Sequence, residues 1–288
     1  MSLKDKFAAG KFVVTSEIGP PKGVDVAAML AEAERLKGRV DALNVTDQQS
    51  AVMRLGTLAV CRRLVERGIE PIFQLTCRDR NRIALQSDLL SAYVLGVENV
   101  LCLTGDHVVM GDHLDARPVF DLDSVSLLQA ATLLQSGKDL AGKELSGAPR
   151  FFLGAVVTPG ADPLEPQLIK LEKKIKAGAQ FIQTQAMYEP GKFAEFIKLV
   201  SHVGVPIMVG IVLLKSAGMA RFMNRNVAGV YVPDHLIEEM DSAPNRTKKS
   251  IEIAARLIRE MKGMCQGVHI MPIGWERHVP AVLDAAGL

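Results

Sequence analysis

A chain of 288 residues that is 48% apolar and 23% charged, with Lys+Arg 34 against Asp+Glu 32, has material for a well-filled globular core and no basic excess for a nucleic-acid backbone. Its longest apolar stretches, such as Val203 to Leu214, fall short of the ~20 residues that cross a bilayer, so no membrane association is expected and the positive mean hydropathy reflects core. The charged opening from Met1 to Lys11 lacks the apolar segment of a secretory signal, and Cys61, Cys77, Cys102 and Cys265 have no CxxC spacing, so buried thiols in a cytoplasmic protein without a metal centre are expected.

In chain order, short runs rich in Val, Ile and Phe recur at Phe12 to Ile18, Val40 to Thr46, Pro71 to Thr76, Val97 to Thr104, Phe151 to Val157, Phe181 to Gln185, Pro206 to Val212 and Val268 to Ile273. Runs this short, apolar on both faces and bounded by Gly, Pro and Asp, predict buried parallel strands. Between them apolar residues fall at helical spacing, as in Met29, Leu30, Ala33 and Leu36, or Leu85, Leu89, Leu90 and Tyr93. Gly178 and Gly204 stand where helices should stop before strands. A strand followed by a helix, repeated around the whole chain, predicts an α/β protein of the (β/α)8 TIM-barrel type, a single catalytic domain over residues 1–288. The alternative, a doubly wound open sheet, is weakened because no GxGxxG or P-loop follows any strand. Gly105 to Pro118 and Ala217 to Pro233 are expected to be long irregular loops.

The strand ends are polar. Ser16-Glu17, Asn44 to Gln49, Gln74 to Cys77, Thr104 to His107 and Gln183 to Gln185 interrupt β-rich runs with amides, hydroxyls and carboxylates. In a barrel these ends face the catalytic mouth, and such a lining suits a large ligand with many hydrogen-bonding groups. Glu17 ends a mostly apolar strand and precedes the rigid Gly19-Pro20-Pro21 turn, a confinement that would disfavour its charged form and suit a general acid; pairing with a nearby Lys or Arg is the plainer alternative. Asp106 follows Gly105, where a planar ligand could approach the backbone, although an Asp here also suits a turn. The near-repeat Gly105-Asp106-His107 and Gly111-Asp112-His113 lacks the helical spacing of a metal motif. Lys170, Lys173 and Lys174 fall at i, i+3 and i+4, so they are expected to share a helix face able to grip phosphates, with Gln167 one turn earlier; a solvated basic face is the alternative. Phe222 and Tyr231 lie in the second irregular stretch, where an aromatic could stack on a flat ring or simply pack.

Together, Thr15-Ser16-Glu17 with Pro20-Pro21, Asn44-Val45-Thr46, Leu75-Thr76-Cys77, Leu103 to Asp106, Leu171 to Ala179, Thr184-Gln185 and Gly210-Ile211 resemble the methylenetetrahydrofolate reductase family, in order and spacing, over nearly the whole chain. The variants Val45 to Gln49, Thr76 to Arg82 and Thr104 to His107 most resemble reductases of anaerobes that run one-carbon metabolism toward or from acetyl-CoA. The resemblance implies a (β/α)8 barrel that reduces 5,10-methylenetetrahydrofolate to 5-methyltetrahydrofolate through a bound flavin, usually FAD. It implies that Glu17 is the general acid, and that Asp106 lies beside the flavin pyrimidine and the pterin. Gln185 and Phe222 match substrate-contacting positions; Thr46, Gln74, Thr104, Gly105 and Phe120 match flavin-contacting positions. Gln167, Lys170, Lys173 and Lys174 fall where the family holds the flavin tail. An oligomer is also implied, and no regulatory extension of the animal type is expected.

Several positions depart from the family pattern. Gln74 replaces a frequent His, Thr104 a frequent Arg, Thr158 to Asp162 a Tyr-Pro-Glu segment, and Trp275 a folate-contacting Arg, with Arg277 two residues on. These changes leave FMN open in place of FAD, and leave the donor open between NAD(P)H and a partner electron-transfer subunit. A cofactor-free barrel lyase or pterin-binding methyltransferase, using Glu17 and Asp106 as an acid–base pair, is the competing reading.

Overall fold

The computed structural model describes residues 1–288. The elements are α1 (Leu3–Ala8), β1 (Val13–Ile18), α2 (Ala27–Leu36), β2 (Ala42–Val45), α3 (Thr57–Val65), β3 (Pro71–Thr76), α4 (Arg82–Val94), β4 (Asn99–Leu103), α5 (Ser124–Gln135), β5 (Phe152–Val157), α6 (Glu165–Lys176), β6 (Phe181–Ala186) and α7 (Pro190–Leu199). They continue with β7 (Ile207–Val212), α8 (Ala217–Asn226), α9 (Asp234–Asp241), α10 (Arg246–Met261), β8 (Gly267–Met271) and α11 (Val279–Ala286). The eight strands are all parallel and close on themselves, β8 pairing with β1, so the sheet has no free edge.

Each strand buries both faces, which is why its sequence is an apolar run instead of an alternation. One face packs outward under the helices: Val14, Leu43, Phe73, Val100, Leu153, Ile182, Val209 and Val268 join a core with Leu30, Leu64, Leu89, Leu128, Leu171 and Ile258. The other face fills the barrel. At its N-terminal end Val13, Ala42, Ile72, Leu101, Phe152, Phe181 and Met208 form a separate apolar layer, and Leu3 of α1 closes it from below. Gly154 gives this layer its room: a Cβ there would stand 2.2 Å from Cζ of Phe181, whose ring stacks on Phe152 at 5.0 Å between centroids. The short α1 is held by a reciprocal cap, Asp5 N–H donating to Ser2 Oγ at 3.2 Å and Ser2 N–H to the Asp5 carboxylate at 3.0 Å.

The strand positions agree with the sequence reading to within two residues at each end, and Gly178 and Gly204 adopt φ of +115° and +69° beyond α6 and α7. Ala217 to Pro233 corrects an expectation. Instead of an irregular loop, the helix α8 forms, its N-terminus capped by Ser216 Oγ accepting from Met219 N–H at 3.0 Å, with Ala217, Ala220 and Met223 buried at helical spacing. The interval between β7 and β8 thus holds three helices. Gly105 to Pro118 is a loop apart from one 3-10 turn at Val108–Met110. All four cysteines are buried and free, and burial pushes the Cys77 thiol up to about 12. No group of three or more His, Cys, Asp or Glu side chains is placed to hold a metal, and no helix is long and apolar enough to cross a membrane.

Candidate active site

Above the apolar layer the barrel interior turns polar. Asn44 and Gln183, both fully buried, form a reciprocal amide pair, Asn44 Nδ2 donating at 2.9 Å and Gln183 Nε2 returning at 3.2 Å. Gln183 Nε2 also donates to Thr15 Oγ1 at 3.3 Å, and Thr15 Oγ1 lies 2.9 Å from His269 Nδ1. Thr15 Oγ1 thus holds one edge of the imidazole and turns Nε2 of His269 toward the upper barrel. That nitrogen faces Glu17 Oε1 at 3.4 Å, which also accepts from Gln74 Nε2 at 2.9 Å. Glu17 therefore stands on a platform of polar side chains, with Gln74 as its hydrogen-bond donor. The expected apolar confinement is corrected: the Ile18-Gly19-Pro20-Pro21 turn follows the strand, but the carboxyl itself points into the barrel, where alternation places Thr15 and Glu17 on the inner face.

A cavity of about 420 Å³ opens over this platform at the C-terminal ends of the strands. Glu17, Gln74, Thr104, Gly105, Asp106, Gln167, Lys170, Lys174 and Gln185 all line it, so nine of the residues singled out in the sequence meet at one site. Asp106 is exposed at the rim and its carboxylate has no hydrogen-bond or ionic partner. Its backbone is fixed from beneath, because Gly105 adopts φ +93° and Arg78, only 2% exposed, donates to the Asp106 carbonyl at 3.3 Å and to the Gln48 carbonyl at 3.2 Å. Thr104 Oγ1 accepts from Ser124 N–H at 3.1 Å, tying the end of β4 to the start of α5.

The three lysines do not share a face as expected. Lys174 is buried and donates to the Val156 carbonyl at 2.5 Å; burial, with Lys170 nearby, brings its pKa down to about 8. Lys170 faces the cavity and lies 3.8 Å from Asp123, while Lys173 is exposed in an outer groove that Lys170 also lines. The spacing i, i+3, i+4 spreads over enough of the helix circumference that one member packs against the sheet. Three further residues lie outside this cavity. Phe120, at φ +41°, stacks with His107 at 6.1 Å; Phe222 is 59% exposed on α8; and Thr46 lines an adjoining chamber on the other side of Glu17.

Sequence reasoning missed the residues that frame the site. The Asp47 side chain, fully buried, accepts from Thr76 N–H at 2.9 Å, Thr76 Oγ1 at 2.8 Å, Thr57 Oγ1 at 3.1 Å and both terminal nitrogens of Arg80 at 2.8 and 3.1 Å. This bidentate pair locks the end of β2 to the end of β3. His269 was legible in principle: Gly267, His269 and Met271 alternate along β8, so one imidazole interrupts an inward face.

A closed barrel whose strand ends surround a polar cavity is the architecture of a small-molecule enzyme with its chemistry at the C-terminal face. The chain belongs to the methylenetetrahydrofolate reductase family, whose model matches residues 2–287. Methylenetetrahydrofolate reductase 2 of Schizosaccharomyces pombe is 26% identical over 244 residues, 76% of this chain and 36% of that protein. The 5,10-methylenetetrahydrofolate reductase of Pectobacterium carotovorum is 23% identical over 256 residues, 88% of this chain and 80% of that one. The chain spans about a third of the length of the yeast and nematode relatives it matches. Among solved structures, an uncharacterized protein from Clostridium thermocellum that binds two copies of 5-methyl-5,6,7,8-tetrahydrofolic acid superposes with a TM-score of 0.67 at 14% identity, covering 99% of this chain and 98% of that one.

Proposed function

We propose that this protein reduces 5,10-methylenetetrahydrofolate to 5-methyltetrahydrofolate, with a flavin nucleotide as its cofactor. The observation that carries the reading is the convergence of Glu17, Asp106 and Gln185 on one cavity whose far wall is basic, in a chain of this family. The donor set fits a flavin: hydroxyl and amide groups of Thr104 and Gln167 line the cavity, Lys170 bridges it to an outer groove, and Lys173 stands further along that groove. This gives an elongated track suited to a ring system followed by phosphates, with Lys170 and Lys173 holding the anionic tail in a groove that Asp123 and Glu165 also line. A bound flavin would supply hydride chemistry at this cavity, with NAD(P)H or a partner electron-transfer subunit as the source of its electrons.

This chain's own residues supply binding and the proton. The unpartnered Asp106 carboxylate accepts from the N–H edge of the pterin, and the Gln185 amide orients it from β6. Glu17 delivers a proton to the folate nitrogen that leaves the bridging carbon, so that carbon becomes an electrophile before hydride arrives. Gln74 and His269 hold the carboxyl in place for that transfer.

Glu17→Gln tests the reading. General acid catalysis contributes ~10²–10⁴-fold, so oxidation of pre-reduced flavin by methylenetetrahydrofolate in stopped flow should slow by at least that lower factor. Reduction of the flavin by dithionite should stay near the wild-type rate. Reoxidation of Glu17→Gln at the wild-type rate would make Glu17 structural and the mechanism wrong.

A further inference from the structure

The Asp106 carboxylate stands exposed at the rim without a hydrogen-bond or ionic partner, so nothing but its backbone locates it. That backbone leads to one residue, Arg78, on the loop after β3. Arg78 donates from Nη1 to the Asp106 carbonyl at 3.3 Å, where the segment Gly105 to Val119 begins. Its own carbonyl accepts from Val119 N–H at 2.7 Å, where that segment ends. Nη2 donates to the Gln48 carbonyl at 3.2 Å, and Gln48 opens a turn in which Gln48, Ser50 and Ala51 all take positive φ. The middle of the segment rests on this turn, since a Cβ on Gly111 would stand 1.9 Å from the Ala51 carbonyl oxygen. Both ends of the segment, and the turn beneath its middle, are thus tied to Arg78. The pivot before Asp106 is packed against it as well: a Cβ on Gly105 would stand 3.2 Å from Cβ of Arg78.

Stability does not account for an arginine in this place. Its side chain is 2% exposed, and Nε and Nη2 pair with Asp79, whose carboxylate is 40% exposed and already solvated. Replacing a buried ion pair by apolar side chains of similar size is often neutral or stabilising, so a guanidinium is an unfavourable way to fill the space. What it supplies is a planar fork of donors that fixes several oxygens at once, which the point charge of a lysine does not. We propose that Arg78 is the positioning residue for Asp106, setting the carboxylate at the place from which it meets the pterin. The pterin rests on the folate reading above; the tie between Arg78 and the segment that carries Asp106 does not.

A double-mutant cycle on the affinity for 5-methyltetrahydrofolate, read by calorimetric titration of the purified protein, tests this. Arg78→Lys keeps the charge and removes the fork. It should weaken binding by at least about tenfold in the wild-type background and by less than about twofold in Asp106→Ala, as expected when one residue acts through the other. Arg78→Met takes its place in the cycle, with the same expectation, if the lysine variant does not fold. Equal weakening in both backgrounds would mean that Arg78 acts without Asp106, and overturns the inference while leaving the folate reading standing. Unaltered binding by the Arg78 variant in the wild-type background does the same. No binding by the wild type overturns both.

Discussion

At the scale of single residues, the site is a set of polar groups whose positions depend on one another. Glu17 accepts from Gln74 and faces His269, whose other nitrogen is held by Thr15, itself held by Gln183. His269 lines the cavity next to Glu17, and its Nε2 lies 3.4 Å from the carboxyl it positions. His269→Leu should therefore slow the folate half-reaction by up to ~10²-fold, the penalty of a misplaced catalytic group, while changing substrate affinity little. Parallel measurement of kcat and KM decides this, and an effect confined to KM would place His269 in binding. Lys174 makes a stability argument. Its folded pKa of about 8 lies below its ordinary 10.5, so at pH 7 the protein carries the full cost of a charged amine kept from water. Between those two values the unfolded chain binds more protons than the folded one, so stability rises with pH across that window. Lys174→Met should raise stability at pH 7 by on the order of 1–3 kcal/mol, offset in part by the Val156 carbonyl it leaves, and flatten the rise. Denaturant midpoints at neutral and alkaline pH check both.

At the scale of elements, the glycines inside the barrel set how tightly strands and rings approach. Gly154 on β5 has no space for a methyl group, since Phe181 fills it. Gly154→Ala should cost ~1–3 kcal/mol through overpacking and break the stack of Phe181 on Phe152, visible as a fall in the midpoint of thermal unfolding. An unchanged midpoint would mean that the ring yields freely. This scale also shows what the sequence could carry. The eight strands were legible because burial on both faces makes each a short apolar run, and Glu17, Asp106 and Gln185 because they break such runs at their ends. The helix α8 was not, because Gly218 and three polar residues near its end disguise a buried stripe only three residues deep. Lys174, which packs against the sheet, was misplaced for a related reason: its spacing gives an angle on α6, but not which part of that circumference meets β5. Asp47 and Arg78 were hidden because their partners, Arg80, Thr76 and the Gln48 and Asp106 carbonyls, come together only when β2, β3 and β4 align.

At the scale of the whole molecule, the barrel separates what holds it together from what reacts. The N-terminal end is an apolar layer sealed by α1, with Phe7 stacked at 6.3 Å on Phe181 and Leu3 fully buried. The C-terminal end is a set of polar side chains at the strand ends, held by hydrogen bonds except for the Asp106 carboxylate, and contributing little apolar burial. Between them lies the hydrogen-bonded layer of Thr15, Asn44, Gln183 and His269, which forms the floor of the cavity and stands between it and the apolar end. If the separation is real, damage at one end should not reach the other. Leu3→Ala removes a buried side chain from the seal and should cost ~2–5 kcal/mol, lowering the unfolding midpoint, while the native fraction keeps wild-type affinity for 5-methyltetrahydrofolate. Asp106→Asn should do the reverse, since an exposed carboxylate without partners supports no packing: affinity falls and the midpoint stays. Paired measurements of midpoint and dissociation constant on the two variants give the test. A loss of affinity in Leu3→Ala below its unfolding range would show that the seal tunes the mouth, and that the polar layer transmits strain along the barrel axis.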